Sequence, residues 1–173
     1  MDFVLGMFTV QNEWIAWIIL SILLIALYFT LRHTIWKGEH PEERKILKKF
    51  LIVFLVSVVI TVIVVQGMKY GFNVPRPCIP CTDGVSECNP YCPDEPSFPS
   101  GHSTMIFTLF TSFFLIYKKK HFLPFFIFPA IVAYSRIFLG VHTWIDIIVG
   151  SVIGIIIPVI VWKAERIFKV LKA

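Results

Sequence analysis

The sequence predicts an all-α integral membrane protein, a helical bundle of about five transmembrane helices in a single domain that spans residues 1–173. The chain is 57% hydrophobic, which is too apolar for an ordinary soluble domain. Five uncharged apolar runs recur along it, and the two longest approach the roughly 20 residues that cross a bilayer. The runs are Trp14–Leu31, Phe50–Met68, Ser103–Tyr117, Phe122–Ser135 and Ile147–Trp162.

Local signals indicate where the helices begin and bend. Segment 40–43 (HPEE) places a proline and two acids in a first turn, so we expect a helix that begins there and continues into the second run. Pro124 and Pro129 predict an irregular start for the fourth run. The last three runs are short enough for buried core helices, but the residues at their outer ends can lengthen them. Gly140 is expected to let the backbone approach a site closely.

Basic residues fall between the apolar runs with a strong bias. Segments 32–49, 118–120 and 163–172 are rich in Lys and Arg, whereas residues 1–13 contain neither. Because cytoplasmic loops carry an excess of Lys and Arg, we expect these three segments and the C-terminus in the cytoplasm. The N-terminus and loop 69–99 are then extracytoplasmic. The net charge of +5 follows membrane sidedness and does not indicate nucleic-acid binding.

The loop of about 30 residues between the second and third runs contains four cysteines. An extracytoplasmic loop lies in an oxidising compartment, which favours two disulfides. Three pairings are possible, and the spacing C-x2-C-x6-C-x3-C would also suit a four-thiolate zinc site. The cysteines are Cys78, Cys81, Cys88 and Cys92.

Three cations fall on the side of the membrane where the charge bias predicts few. Lys69, Arg76 and Arg136 can each hold phosphate oxygens, the arginines through planar forks. The alternative is an interfacial cation whose carbon chain stays in lipid while its charge reaches water. Charges beside lipid are costly, so we interpret all three as phosphate-binding groups.

Two histidines and one aspartate accompany these cations. His102 and His142 are groups that can transfer a proton or attack phosphorus. Asp146 follows His142 by four residues, which places both side chains on one face if the segment is helical. A carboxylate on one imidazole nitrogen would fix the tautomer and leave the other nitrogen as a nucleophile.

The segment 99–102 (PSGH) immediately precedes the third apolar run. If a helix begins here, the backbone N–H groups of Gly101 and His102 lie at its N-terminus, where the helix dipole attracts phosphate. The simpler alternative is that Ser100 only caps the helix. We favour the phosphate interpretation because three cations accompany this segment.

The three polar segments together resemble the signature of a known family. The type 2 phosphatidic acid phosphatases, relatives of the vanadium haloperoxidases, carry K-x6-R-P, then P-S-G-H, then S-R-x5-H-x3-D. This chain matches every named position, and the resemblance covers roughly residues 50 to 163. The matching residues are Lys69, Arg76, Pro77, Pro99, Ser100, Gly101, His102, Ser135, Arg136, His142 and Asp146.

The resemblance implies a role for each site residue. It assigns His142 as the nucleophile that forms a phosphohistidine and His102 as the general acid for the leaving group, with Asp146 supporting His142. Fixed cations would replace a metal ion, so the resemblance implies no metal and no cofactor. The phosphate-binding residues would be Lys69, Arg76, Ser100, Gly101 and Arg136.

We therefore expect a multi-pass enzyme of the cell membrane that hydrolyses a lipid phosphate or diphosphate at the extracytoplasmic face. Its partner is a membrane lipid, and polyprenyl diphosphate is slightly favoured over phosphatidic acid or phosphatidylglycerol phosphate. One alternative is a non-catalytic phospholipid binder or transporter that retains the site, although the sequence shows no inverted repeat. Another is a vanadate-dependent haloperoxidase, whose known relatives are typically soluble. The sequence does not predict the oligomeric state.

Overall fold

The structure is a computed structural model that describes residues 21–22, 25–26, 29, 41–81, 87–117 and 124–170. From residue 41 onward these ranges form four α-helices and no β-strand, only an isolated bridge between Pro80 and Asn89. The predicted all-α class is therefore confirmed. The helices are α1 (Pro41–Phe72), α2 (Gly101–Tyr117), α3 (Ile127–Phe138) and α4 (Trp144–Val170).

Helix α1 begins at Pro41 with Glu42 and Glu43 in its first turn, as the HPEE segment predicts. It continues without interruption through the second apolar run and carries Lys69 in its last turn. The chain then leaves the helix at Asn73, whose φ of 45° is left-handed and whose N–H donates to the Lys69 carbonyl oxygen at 2.9 Å. This C-terminal cap fixes where Lys69 lies relative to the loop that follows.

Polar and apolar side chains are distributed as a bilayer requires. Large apolar side chains such as Ile63, Phe138 and Ile145 are more than 60% exposed. Small hydroxyl residues, which allow close helix packing in membranes, are instead buried between the helices. The fully buried ones include Ser57, Thr61, Ser103, Thr104, Thr108 and Ser112.

Among the residues that the structure describes, two stretches are long and apolar enough to cross a membrane, Glu42–Phe72 in α1 and Trp144–Glu165 in α4. Helix α2 and the stretch Pro124–Phe138 are apolar but shorter. The predicted first span, Trp14–Leu31, lies outside the described residues except at residues 21–22, 25–26 and 29. The count of five spans therefore stays a prediction.

Helix α2 lies at the centre and packs against the other three helices, most extensively against α4 at two glycines. A Cβ atom at Gly150 would lie 2.6 Å from the Ser100 carbonyl oxygen and 2.9 Å from Thr104 Oγ1. A Cβ atom at Gly154 would overlap the Thr104 carbonyl oxygen and lie 2.9 Å from Phe107 Cβ. Because both positions lack a side chain, α4 lies directly against the backbone of α2.

We predict that Gly154→Ala destabilises the protein by about 1–3 kcal/mol, because the new methyl group overpacks the contact with α2. Gly67→Ala is the matched control, since a Cβ atom there meets nothing within 4 Å and alanine favours a helix by about 1 kcal/mol. The apparent Tm in detergent should fall for Gly154→Ala and stay level or rise for Gly67→Ala. An equal Tm for the two variants would contradict this packing.

The connection into α3 shows the expected effect of proline. Residues 124–126 form a 3₁₀ turn, and α3 begins only at Ile127. The turn after α3 contains Gly140 with φ +69°, a conformation that favours glycine. A Cβ atom at Gly140 would meet only Asn89 Nδ2 at 3.7 Å, which is an ordinary contact. The glycine is therefore required for its backbone conformation, and a close approach of this backbone to the site stays a prediction.

All four cysteines in the loop form disulfides, which are Cys78–Cys92 and, nested inside it, Cys81–Cys88. The four-thiolate zinc alternative is therefore wrong, because each sulfur atom is bonded to another. Asn89 connects this braced loop to the bundle, since its Nδ2 donates to the Leu139 carbonyl oxygen at 2.8 Å. The disulfides thus stabilise a loop that is anchored beside the end of α3.

Candidate active site

The predicted site residues lie where four helices end or begin. Lys69 lies in the last turn of α1, Gly101 is the first residue of α2, and Arg136 lies in the last turn of α3. Asp146 lies in the first turn of α4, three residues after the end of the connecting turn that contains His142. We call this face of the molecule the site end of the bundle.

His142 lies between the Asp146 carboxylate and the Arg76 guanidinium. Its side chain is almost fully buried, and its Nε2 atom lies 3.2 Å from Arg76 Nη1. Its Nδ1 atom lies 3.3 Å from Ser97 Oγ and 3.4 Å from Asp146 Oδ2. A guanidinium can only donate, so Nε2 must accept and Nδ1 must carry the proton of the neutral imidazole. The lone pair of Nε2 therefore faces Arg76, and the N–H faces the carboxylate.

Asp146 has a second role that the sequence interpretation missed. Its Oδ2 atom accepts from the Thr143 backbone N–H at 2.7 Å, and Thr143 Oγ1 accepts from the Asp146 backbone N–H at 3.4 Å. This reciprocal pair is a capping box at the start of α4, and the pattern Thr143-x-x-Asp146 is its sequence signal. The cap fixes the carboxylate at a helix start, where it can face His142.

Glu95 and Val141 hold two of the three predicted phosphate-binding cations, Lys69 and Arg76. Lys69 is 2% exposed and its Nζ atom lies 3.1 Å from Glu95 Oε2. Arg76 donates through Nε to the Glu95 carbonyl oxygen at 2.7 Å and through Nη1 to the Val141 carbonyl oxygen at 3.0 Å. These contacts hold Arg76 between the cysteine loop and the turn that carries His142.

Arg136 reaches the same turn through its backbone. Its carbonyl oxygen accepts from the Val141 N–H at 3.1 Å, and its side chain is 3% exposed. Val141 therefore contacts both predicted arginines, through its N–H to Arg136 and through its carbonyl oxygen to Arg76. A buried guanidinium at a helix C-terminus is electrostatically favoured by the helix dipole.

Ser100 caps α2, as the simpler sequence interpretation predicts. Its Oγ atom accepts from the Ser103 N–H at 3.4 Å and from Ser103 Oγ at 3.1 Å. Its own N–H donates to the Asp146 carbonyl oxygen at 3.0 Å, which joins the starts of α2 and α4. The cap does not compete with phosphate for the backbone N–H groups of Gly101 and His102. Their role in phosphate binding stays a prediction.

His102 is half-buried in the first turn of α2, one residue after Gly101. Its role as a general acid stays a prediction, as do the roles of His142, Asp146 and the phosphate-binding residues. Within the described ranges, no group of three or more His, Cys, Asp or Glu side chains could hold a metal ion.

The sequence interpretation missed Glu95 and Ser97. Glu95 pairs with Lys69, and Ser97 is fully buried between His142 and Asp146. Neither belongs to a pattern with regular spacing, because both lie in an irregular loop. The one available signal was Glu95 itself, an acid four residues before Pro99 in the loop that follows Lys69 and Arg76.

These features define a buried, cation-rich site at one end of a bundle of apolar helices. The model of the PAP2 superfamily matches residues 50–168, which is more than half of the chain. The chain therefore belongs to the PAP2 superfamily, and the resemblance in the three polar segments is confirmed.

Two proteins similar to this chain extend the comparison. "Putative undecaprenyl-diphosphatase YbjG" of Escherichia coli strain K12 is 26% identical over 133 residues, which are 75% of this chain. The chain spans 64% of the length of that relative. The crystal structure of Aquifex aeolicus LpxE matches with a TM-score of 0.55 and 27% identity, over 92% of this chain and 86% of that one.

Proposed function

We propose that this protein is a membrane lipid phosphatase that acts at the extracytoplasmic face through a phosphohistidine on His142. One observation carries the proposal. His142 is buried with its Nδ1 atom toward Asp146 and its Nε2 atom 3.2 Å from the Arg76 guanidinium. A phosphorus atom in line with Nε2 would place its oxygens within reach of that same guanidinium, so nucleophile and charge stabilisation coincide.

The proposed reaction has two steps. In the first, the lone pair of His142 Nε2 forms a bond to phosphorus as the bond from phosphorus to the lipid-side oxygen breaks. His102 gives its proton to that leaving oxygen. In the second, a water oxygen attacks phosphorus, the bond from phosphorus to Nε2 breaks, and His102 takes the proton of the water. Inorganic phosphate leaves and His142 is neutral again.

Asp146 would stabilise the imidazole as it becomes positive. When Nε2 bonds to phosphorus, the ring carries a charge and its Nδ1–H becomes a stronger donor. The Asp146 carboxylate, 3.4 Å from Nδ1, is positioned to compensate that charge. Lys69, Arg76 and Arg136 would bind the phosphoryl oxygens. Their fixed positive charges would stabilise the transferred group, as a metal ion does in other phosphoryl-transfer enzymes.

An apolar cavity supports a substrate with a long hydrocarbon tail. It has a volume of about 410 Å³ and is lined by phenylalanines and one leucine of α1, α2 and the segment before α3. Leu109 and Phe114 lie 9 and 14 residues beyond Ser100, which places them roughly 13 and 21 Å along α2 at about 1.5 Å per residue. The lining residues are Phe50, Leu109, Phe110, Phe113, Phe114, Phe125 and Phe126.

We infer that polyprenyl diphosphate is favoured over phosphatidic acid and phosphatidylglycerol phosphate. The name of the similar protein YbjG, which includes undecaprenyl-diphosphatase, supports this order. The extracytoplasmic location rests on the Lys and Arg bias, since the site end lies opposite the basic start of α1. Carrier-lipid diphosphates are released on that face of the membrane.

Purified protein in detergent should release inorganic phosphate from these lipids, fastest from the polyprenyl diphosphate. Activity should survive EDTA, because protein cations stabilise the transferred group. Vanadate should inhibit, because its trigonal-bipyramidal form imitates the transition state. Complete loss in EDTA with recovery in Mg²⁺ would contradict the mechanism. Phospholipid binding without phosphate release would instead favour the non-catalytic binder or transporter.

A further inference from the structure

Ser97 lies between the two groups on which the proposed chemistry depends. Its side chain is fully buried, and its Oγ atom donates to Asp146 Oδ2 at 2.5 Å. The same Oγ atom lies 3.3 Å from His142 Nδ1. A carboxylate can only accept, so the single hydroxyl proton of Ser97 is used toward Asp146. The Ser97 oxygen is then left to accept the Nδ1–H of His142.

We propose that Ser97 is a positioning residue for His142, an inference that rests on the proposed function. The imidazole N–H has two acceptors at nearly equal distance, the Ser97 hydroxyl and the Asp146 carboxylate. The Ser97 hydroxyl donates to Asp146, so the two acceptors are joined to each other. Ser97, Asp146 and His142 therefore keep one relative orientation. This arrangement holds the Nε2 lone pair in one direction, toward Arg76. Because the lone pair already points in one direction, less orientational entropy is lost when it attacks phosphorus.

The backbone of Ser97 already performs the structural task at this position. Its N–H donates to the Val74 carbonyl oxygen at 2.8 Å, which joins the loop to the segment after α1. That bond does not involve the hydroxyl and survives replacement by alanine. The side chain therefore has a role separable from loop structure, and its partners are the two residues of the proposed nucleophile pair.

Neighbouring contacts make the same stretch of loop important for the cations. Glu95, two residues before Ser97, contacts Lys69 through its carboxylate and Arg76 through its carbonyl oxygen. Residues 95–97 therefore touch the predicted phosphate cations on one side and the His142–Asp146 pair on the other. Because this stretch follows the disulfide-braced segment 78–92, a rigid loop supports both halves of the site.

The test compares Ser97→Ala with Ser57→Ala, which removes an equally buried hydroxyl from the middle of α1. In Ser97→Ala, kcat should fall roughly 10- to 100-fold with KM changed less than about twofold, since a hydrogen bond to a charged group is lost. The formation of phosphoenzyme in a single turnover should slow by the same factor. In Ser57→Ala, both constants should stay near wild type. Ser97→Thr, which keeps a hydroxyl, should restore most of kcat.

A double-mutant cycle with Asp146→Asn shows whether Ser97 acts through the pair. If it does, adding Ser97→Ala to Asp146→Asn should lower kcat by less than about threefold further, because the carboxylate charge through which Ser97 acts is already lost. Independent effects that multiply would overturn the proposal. So would a Ser97→Ala enzyme that behaves like Ser57→Ala, or one that fails to fold, which would assign the hydroxyl to stability. A wild-type protein that releases no phosphate would instead contradict the proposed function itself.

Discussion

Replacing His142 with alanine should reduce turnover to near background, a loss on the order of 10⁴-fold or more, as for removal of a covalent nucleophile in other hydrolases. The variant should still fold, because the capping box of α4 uses Thr143 and Asp146 and leaves the imidazole out. Phosphate affinity should largely survive, since the cations are held by Glu95 and Val141. Steady-state phosphate release and vanadate binding measure the two properties separately.

His102→Ala is the informative comparison for this loss. That variant keeps the nucleophile and loses the proposed acid, so it should suffer least with substrates whose leaving group needs no proton. His142→Ala should be equally inactive with every substrate. If His142→Ala retained a substantial fraction of wild-type turnover, the nucleophile would have to be His102 or an activated water.

Asp146→Asn should cost roughly 10²–10⁴ in kcat with little change in KM, comparable to the loss from an aspartate-to-asparagine change beside a catalytic histidine. The amide lacks the negative charge that compensates the imidazolium. Its oxygen can still accept from the Thr143 N–H, so the start of α4 is preserved. The apparent Tm should therefore change little while kcat falls.

Thr143→Ala separates the cap from the chemistry. It removes the hydroxyl that accepts from the Asp146 N–H, which costs a helix about 1 kcal/mol, and leaves the Asp146 carboxylate in place. Its apparent Tm should fall while kcat stays within a few-fold of wild type. A stable but inactive Thr143→Ala, or a fully active Asp146→Asn, would contradict this division between the cap and the chemistry.

The convergence of the site could be predicted because charge is costly beside lipid. Lys69, Arg136 and His142 each interrupt or end an apolar stretch, so the sequence places them at helix ends, where the structure brings them to one face. The start of α1 at Pro41 followed from proline and acid preferences in a first turn. Such local signals depend only on neighbouring residues.

Features that depend on contacts across the chain could not be predicted. The pairing of Cys78 with Cys92 is one of three possibilities that fit the spacing equally. Ser97 and Glu95 gain their partners only when the loop folds over the ends of α1 and α4. In the sequence, Gly154 is similarly an ordinary helical glycine. Only its contact with α2 in the fold shows that a side chain would not fit there.

The two sequence interpretations of Ser100 are compatible in the structure. Its hydroxyl oxygen accepts the capping hydrogen bond, and phosphate binding by Ser100 stays a prediction. The backbone N–H groups at the start of α2 remain the candidate phosphate donors, because capping and anion binding use different atoms. The sequence could not separate these roles, since the same residue type serves both.

The most direct measurement is to trap the covalent intermediate from a lipid that carries radiolabelled phosphate. Wild-type protein quenched during turnover should carry label that is acid-labile and base-stable, as a phosphohistidine is, and tryptic mapping should place it on the peptide that contains His142. His102→Ala should still acquire label, and His142→Ala should acquire none. Label on His102, or rapid phosphate release with no trapped label at any quench time, would contradict nucleophilic attack by His142.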